Sequence, residues 1–302
     1  MSNWCSRKNS GNESRSFGSI GLYGGNQGTK GIGIALLYGL LYAGVVQSSE
    51  RNLTVRGQPE LQRQGTDPGC VRKQNQDAYR IEQLDRNTLL CVVCDGMGGA
   101  KSGNIASTLA VEVFAEEIRR SWVKNMDDDR IDQMLRSAVK LANFTVYDQA
   151  AQIEEFSGMG TTLVAALVYG KKCTVVNVGD SRAYGINRSG IHQISRDHSL
   201  VQLMVDRGEL TPEVAKTYPG KNFITRAIGT EPIVMCDIYH REVSKGDFIL
   251  LCSDGLSNLM DDQEILFEVV HGVNKQHCCK RLLNIAKNRG APDNVTSVLI
   301  LV

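Results

Sequence analysis

From residue 65 onward, apolar and polar positions follow two periods in turn, and each change of period marks an element. Asp77-Ala78-Tyr79-Arg80-Ile81 alternates as a half-buried strand does, and 89–94 is an unbroken apolar run of buried-strand type. Then Ile105, Leu109 and Val113 fall four apart, as do Ala106, Ala110, Phe114 and Ile118, which predicts a helix with a broad apolar face. A second helix is predicted from Ile131, Met134, Leu135, Ala138, Leu141 and Ala142. Strands follow at 161–168, 172–178 and 182–186, broken by Tyr169-Gly170-Lys171 and Gly179-Asp180. Residues 198–222 are mostly polar and short-helical, with Gly208 as a stop and Thr211-Pro212-Glu213 as a start, so they read as a surface insertion. Strands at 233–243 and 247–252 lead to a helix whose Asp261 and Glu264 have capping-box spacing. A further helix ends at Gly290, and 295–302 forms the last strand. This order predicts an α+β chain, two sheets covered by helices.

Residues 1–62 have a different texture, Ser-, Asn- and Gly-rich at first and then apolar over 31–46. That run is shorter than the roughly 20 residues a spanning helix needs, and it is rich in glycine. A signal-type segment, a short membrane anchor and a weakly ordered extension all remain open, and Lys30, Arg51 and Arg56 on its two sides give no orientation. We therefore divide the chain into an extension, 1–62, and one domain, 63–302.

Composition narrows the partners. A net charge of +1 gives no reason to expect nucleic acid, and 302 residues suffice for a substantial core without disulfides. Nine cysteines show no zinc-ribbon spacing and read as those of a reducing compartment, here the cytoplasm. Cys91 and Cys94 make a CxxC, but inside an apolar strand, where small buried hydrophobes fit better than a redox pair.

The candidate chemistry is acidic. Asp95-Gly96 ends the buried strand, and three further sites share its grammar at strand edges: Gly179-Asp180-Ser181, Ser253-Asp254-Gly255 and Pro292-Asp293-Asn294. A carboxylate at a buried strand end is costly unless a cation or several donors meet it, and Gly96 lets a backbone oxygen approach the same ligand. Carboxylates converging on one sheet edge suit hard divalent cations, Mg²⁺ or Mn²⁺, which take oxygen ligands and keep several waters. Other glycine motifs fail: Ala100 stands where a phosphate loop needs Gly before Lys101-Ser102, and Lys101 stands at the last glycine of the dinucleotide fingerprint.

Arg72-x-x-Asn75-Gln76-Asp77, Asp95-Gly96-Met97-Gly98-Gly99, Gly158-Met159-Gly160-Thr161-Thr162, Val178-Gly179-Asp180-Ser181-Arg182, Asp197-His198-Ser199, Ser253-Asp254-Gly255 and Asp293-Asn294 occur in one order. Together they resemble the metal-dependent protein phosphatases, the PPM or PP2C-type serine/threonine phosphatases, and their compact bacterial members above all. The resemblance covers about 62–302. It implies a four-layer αββα fold, a central β-sandwich of two antiparallel sheets flanked by helices, with the polar 198–222 segment as a flap beside the site. It implies hydrolysis of phosphoserine and phosphothreonine in proteins by a water or hydroxide bridging two Mn²⁺ or Mg²⁺ ions. In that scheme Asp95 bridges both ions, the Gly96 carbonyl binds the second, and Asp254 and Asp293 complete the first. Asp180 would join Asp254 on a weaker third ion, Asp77 would hold an ion-coordinated water, and Arg72 would bind the substrate phosphate.

Three positions depart from the family pattern: Gln76 where Glu is frequent, Met97 where eukaryotic relatives carry His, and Asn104 where Glu is frequent. A phosphoprotein-binding pseudophosphatase is the alternative reading. Phosphoprotein substrates, an opposing serine/threonine kinase, a monomeric state and no nucleic-acid partner complete the expectations. Membrane attachment through 31–46 is an alternative to a freely diffusing enzyme.

Overall fold

The apolar run at 89–94 is apolar throughout because it is buried on both faces. It lies in β3 (Thr88–Met97), where Leu89, Cys91 and Val93 point between two sheets while Leu90, Val92 and Cys94 point at helices. The computed structural model describes residues 61–98 and 102–302. Of the extension at 1–62, residues 1–60 with the apolar stretch 31–46 lie outside the described residues, as do Gly99, Ala100 and Lys101, whereas Leu61 and Gln62 already pair with the last strand of the chain in a sheet.

One antiparallel sheet contains β2 (Asp77–Asp85), β3, β5 (Leu163–Tyr169), β6 (Lys172–Val178) and β9 (Asp237–Glu242) in that order, with the short β4 (Gly160–Thr161) pairing the far end of β3. The other runs β1 (Leu61–Asp67), β11 (Val295–Leu301), β10 (Phe248–Cys252), β7 (Arg182–Asn187) and β8 (Gly190–Gln193). Their inner faces interdigitate through Val164, Ala166 and Val175 on one side and Ile249, Leu251, Val298 and Ile300 on the other. Helices α1 (Gly103–Ser121) and α2 (Asp128–Gln152) cover the first sheet with Ala106, Ala110, Phe114, Ile118, Leu135 and Ala142. Beyond the flap helices α3 (Leu200–Asp206) and α4 (Pro212–Ala215) come α5 (Asp254–Ser257), α6 (Asp262–Val270) and α7 (Cys278–Asn288), of which α5 to α7 cover the second sheet. The architecture is the αββα sandwich.

Local signals hold at the caps. Asp261 and Glu264 form a reciprocal capping box on α6, Thr211 caps α4 with Pro212 in its first turn, and Ser199 caps α3. The expected strand at 233–236 is absent. Asn143 of α2 donates to the Glu231 and Pro232 carbonyls just before it and Arg136 to that of Cys236 at its end, and the ladder starts only at Asp237. Among the described residues no helix is long and apolar enough to cross a membrane.

Candidate active site

The strand ends bring five carboxylates to one edge of the sandwich. Asp77 opens β2 and stands opposite Asp95 in the β2–β3 register; Asp180 follows β6; Asp254 follows β10; Asp293 precedes β11. Asp95 is fixed through its backbone. Its N–H donates to Thr162 Oγ1 at 2.9 Å, while its carbonyl accepts from Thr162 N (2.9 Å) and Thr161 Oγ1 (2.8 Å). Gly96 then passes so close to α1 that a Cβ there would stand 2.0 Å from the Gly103 carbonyl oxygen and 2.6 Å from that of Gln76. Only glycine fits between the Gln76 backbone and the start of α1. The Gln76 side chain lies against Gly103, within 2.8 Å of where a Cβ would stand.

Asp254 heads α5, and Asn258 Nδ2 donates to its Oδ2 at 3.0 Å. The preceding Ser253 is wholly buried and donates to Asp77 Oδ2 at 2.8 Å, while its Oγ accepts from Thr296 N–H at 3.0 Å. Asp293 pairs with Arg72, Nη2 to Oδ2 at 2.8 Å, on the open side of the cluster. Asn294 builds the loop that carries Arg72: its Nδ2 donates to the Pro68 and Gln74 carbonyls at 3.0 Å each, and its Oδ1 accepts from Gln76 N–H at 2.8 Å.

Asp180 sits in a turn whose Gly179 has φ of +107°, and a Cβ there would come within 2.6 Å of Thr162. Ser181 and Thr162 share a hydroxyl hydrogen bond of 2.7 Å, which links this turn to the Asp95 backbone. Behind it, Arg182 forks onto Asp197 with contacts of 2.7 to 3.0 Å and also donates to Tyr184 Oη.

Burial and mutual repulsion dominate the electrostatics. Burial first, then Asp77, Asp254, Asp180 and Asp293, push the Asp95 carboxyl well above the usual carboxylate range. Burial also raises Asp77, Asp180 and Asp254; neighbouring carboxylates add to each, and Arg182 and the flap's Lys221 offset part of it at Asp254. The charge of Asp254 is among those that raise Asp95, and two such neighbouring carboxylates ionise together only when a cation offsets their repulsion. Arg72 is raised by its bond to Asp293 and by that residue's charge, and it feels Asp95 and Asp254 as well.

These residues fit hydrated divalent cations. Asp77 Oδ1 is buried and makes no hydrogen bond of good geometry; the nearest hydroxyl is that of Thr296, which lowers the Asp77 carboxyl and also bonds Thr66 at 2.7 Å. A buried anionic oxygen of this kind is stable when it faces a cation or a water bound to one. Among the described residues no three His, Cys, Asp or Glu side chains converge tightly enough to form a complete cage. Mg²⁺ and Mn²⁺ do not need one, because they retain waters and bind through one or two carboxylates.

All six aspartate and arginine positions singled out in the sequence, with Gly96, thus lie at this edge. Thr162, Ser181, Ser253 and Asn294, which hold the aspartates in place, carry no role in the sequence reading. Their only signal is adjacency to an Asp or to one of the short motifs. Asp197-His198-Ser199 reads as a helix start, and Ser199 is indeed the cap, yet Asp197 and His198 also anchor the Asp180 turn.

Comparison with known proteins agrees with this geometry. The protein phosphatase 2C family profile matches residues 71–285. The serine/threonine phosphatase stp of Listeria monocytogenes serovar 1/2a is 32% identical over 235 residues, 78% of this chain and 93% of that one. Protein phosphatase PhpP of Streptococcus pneumoniae is 33% identical over 237 residues, 78% and 94% of the two chains. Among solved structures, serine/threonine phosphatase Stp1 from Staphylococcus aureus superposes with a TM-score of 0.75 at 35% identity, covering 84% of this chain and 99% of that one. The Mycobacterium tuberculosis phosphatase PstP/Ppp gives 0.71 at 33%, covering 80% and 98%. Fold, acidic edge and sequence agree, and this chain is an enzyme of the protein phosphatase 2C family.

Proposed function

We propose that the enzyme removes phosphate from phosphoserine and phosphothreonine in proteins by direct attack of water on phosphorus, with two Mn²⁺ or Mg²⁺ ions held at the acidic edge. The observation that carries this reading is the convergence of five carboxylates, one of them ending in a buried oxygen with no hydrogen bond of good geometry. Asp95 would serve both ions, the Gly96 carbonyl the second, Asp254 and Asp293 the first, and Asp180 with Asp254 a weaker third. Such ions, when bound, neutralise charge on a phosphoryl group and make water acidic enough to react near neutral pH.

The chain's own residues do the rest. Asp77, held on one oxygen by Ser253, would accept a hydrogen from the attacking water through the other, fixing the water's lone pair on phosphorus. Arg72 leaves Asp293 or shares it, and its guanidinium grips the phosphoryl oxygens. The new P–O bond forms from water as the bond to the serine or threonine oxygen breaks; that oxygen leaves with a proton, giving hydroxyl and inorganic phosphate. Gln76 supplies a neutral amide where a carboxylate would bind more strongly, so affinity for the second ion is reduced.

Residues 63–302 would form the catalytic domain, with the flap at 198–222 contributing to substrate choice. The partners would be phosphoproteins made by an opposing serine/threonine kinase, and the enzyme a cytoplasmic monomer; the described cysteines are all free, in keeping with a reducing compartment. No observation favours the pseudophosphatase reading. The test is phosphate release from a phosphothreonine peptide by the full chain with Mn²⁺, with Mg²⁺ and with chelator, beside Arg72→Ala. Release that needs metal, with KM raised about tenfold in the variant, supports both the reaction and the phosphate contact. No release with either metal from folded protein contradicts the reaction, and an unchanged KM contradicts the phosphate contact.

A further inference from the structure

His198 stands where the flap joins the sandwich, and it is only 5% exposed. Its backbone makes both neighbouring connections: its N–H donates to the Gly179 carbonyl at 2.9 Å, and its carbonyl accepts from Thr225 N–H at 2.7 Å. Residues 198 and 225 are therefore the two ends of a stem that Leu200 N–H to Phe223 O (2.8 Å) continues into the flap. The side chain is as closely held. Nδ1 accepts from the Gly179 N–H at 3.1 Å, which places the ring proton on Nε2, and Nε2 lies 3.1 Å from Asp237 Oδ2. Arg226, the residue after the stem, donates to the other oxygen of Asp237 at 3.0 Å. One carboxylate on β9 thus ties both ends of the flap stem.

His198 grips both sides of Gly179, the residue before Asp180. Gly179 gives its N–H to the His198 ring and its carbonyl to the His198 backbone and to Asn177 Nδ2 at 3.1 Å. Gly179, with φ of +107°, takes a conformation open to glycine, and these bonds select it from the several that glycine can adopt. Burial, helped by the charge of Arg226 whose Nη1 lies 3.2 Å from Nε2, lowers the pKa of His198 against the pull of Asp237, which favours the neutral ring that can accept from Gly179.

We propose that His198, oriented by Asp237, is a positioning residue that sets the Asp180 carboxylate through the Gly179 peptide and so couples the flap stem to cation binding at that carboxylate. The inference rests on the proposed role of Asp180 as a cation ligand. Groups that orient a metal-binding side chain without touching the metal typically change affinity 10- to 100-fold when removed.

Two substitutions separate the two ring nitrogens. Asn places its polar atoms near Nδ1, and Gln places them near Nε2. In the full-length protein, His198→Gln keeps the Asp237 contact and loses the Gly179 one. It is expected to speed exchange of the Gly179 amide at least tenfold and to weaken Mn²⁺ binding, followed by calorimetry, about tenfold for one ion. His198→Asn keeps the Gly179 contact and is expected to leave both within about threefold, while protease cuts the 199–224 segment faster. Asp237→Asn, should His198→Gln fail to fold, is expected to shift both quantities in the same direction by about threefold. Equal behaviour of the Gln and Asn variants, or no change in Gly179 exchange and Mn²⁺ binding in a folded Gln or Asp237→Asn variant, overturns the proposal. Asp180→Asn keeps the two failures apart. If it leaves Mn²⁺ binding intact, the cation assignment of Asp180 falls and the coupling to cation binding falls with it, whereas unchanged Gly179 exchange in His198→Gln overturns the positioning role alone.

Discussion

Strands β3 and β10 each run through the inter-sheet core and then, within one or two residues, into the acidic edge. Leu89, Cys91, Val93 and Leu251 are fully buried among apolar neighbours, whereas Asp95 and Asp254 stand among like charges. The first region lowers the free energy of folding with every apolar side chain it removes from water. The second raises it, because carboxylates at close quarters repel and lose hydration. The difference shows where stability is given up for chemistry: at the strand tips, where a rigid core fixes charges that would otherwise move apart.

Substitutions in the two regions should therefore act in opposite ways. The largest effect is expected for Asp254→Asn, which should lower turnover on the order of 10³-fold or more, a barrier change of roughly 4 kcal/mol, while unfolding by denaturant shows the protein no less stable. A variant with ordinary turnover would remove Asp254 from the site. Next, Leu251→Ala in the core should cost about 2–5 kcal/mol of stability, read from the denaturant midpoint, and leave KM unchanged in what remains folded. A loss under about 1 kcal/mol would mean that the two sheets are not held by this layer.

A smaller effect is expected from pH. Burial and neighbouring charge raise these carboxyls in the fold, Asp180 from 3.8 to about 8, so between those values the folded state holds more protons than the unfolded one. Stability of chelated protein should therefore fall as pH rises from about 5 to 8, by on the order of 1 kcal/mol or more. Melting curves in chelator check this, and a Tm that climbs across that range would count against it.

Much of this edge is legible in the sequence because each aspartate ends or begins an apolar strand, and an acid there has few bland explanations. The helices at 105–118 and 131–142 are legible by period, although α2 runs on to Gln152 through the buried Val146. β1 is not legible: Gln62, Arg63 and Gln64 break any alternation, and it is held as an edge strand by its ladder to β11. β8 has four residues and no period to read. His198 is hidden for another reason, since its partners Gly179 and Asp237 lie 19 and 39 positions away and meet it only in the fold.

Whether the acidic edge is strained by its own charges and relieved by divalent cations can be decided by melting the wild type and Asp95→Asn with Mn²⁺ and with chelator. A ligand that binds only the folded state stabilises it by mass action. Mn²⁺ should raise the wild-type Tm by several degrees and barely move that of Asp95→Asn, and in chelator the variant should melt at or above the wild type. An unchanged wild-type Tm at saturating Mn²⁺, or an equal rise in both proteins, would show that the edge is not relieved in this way.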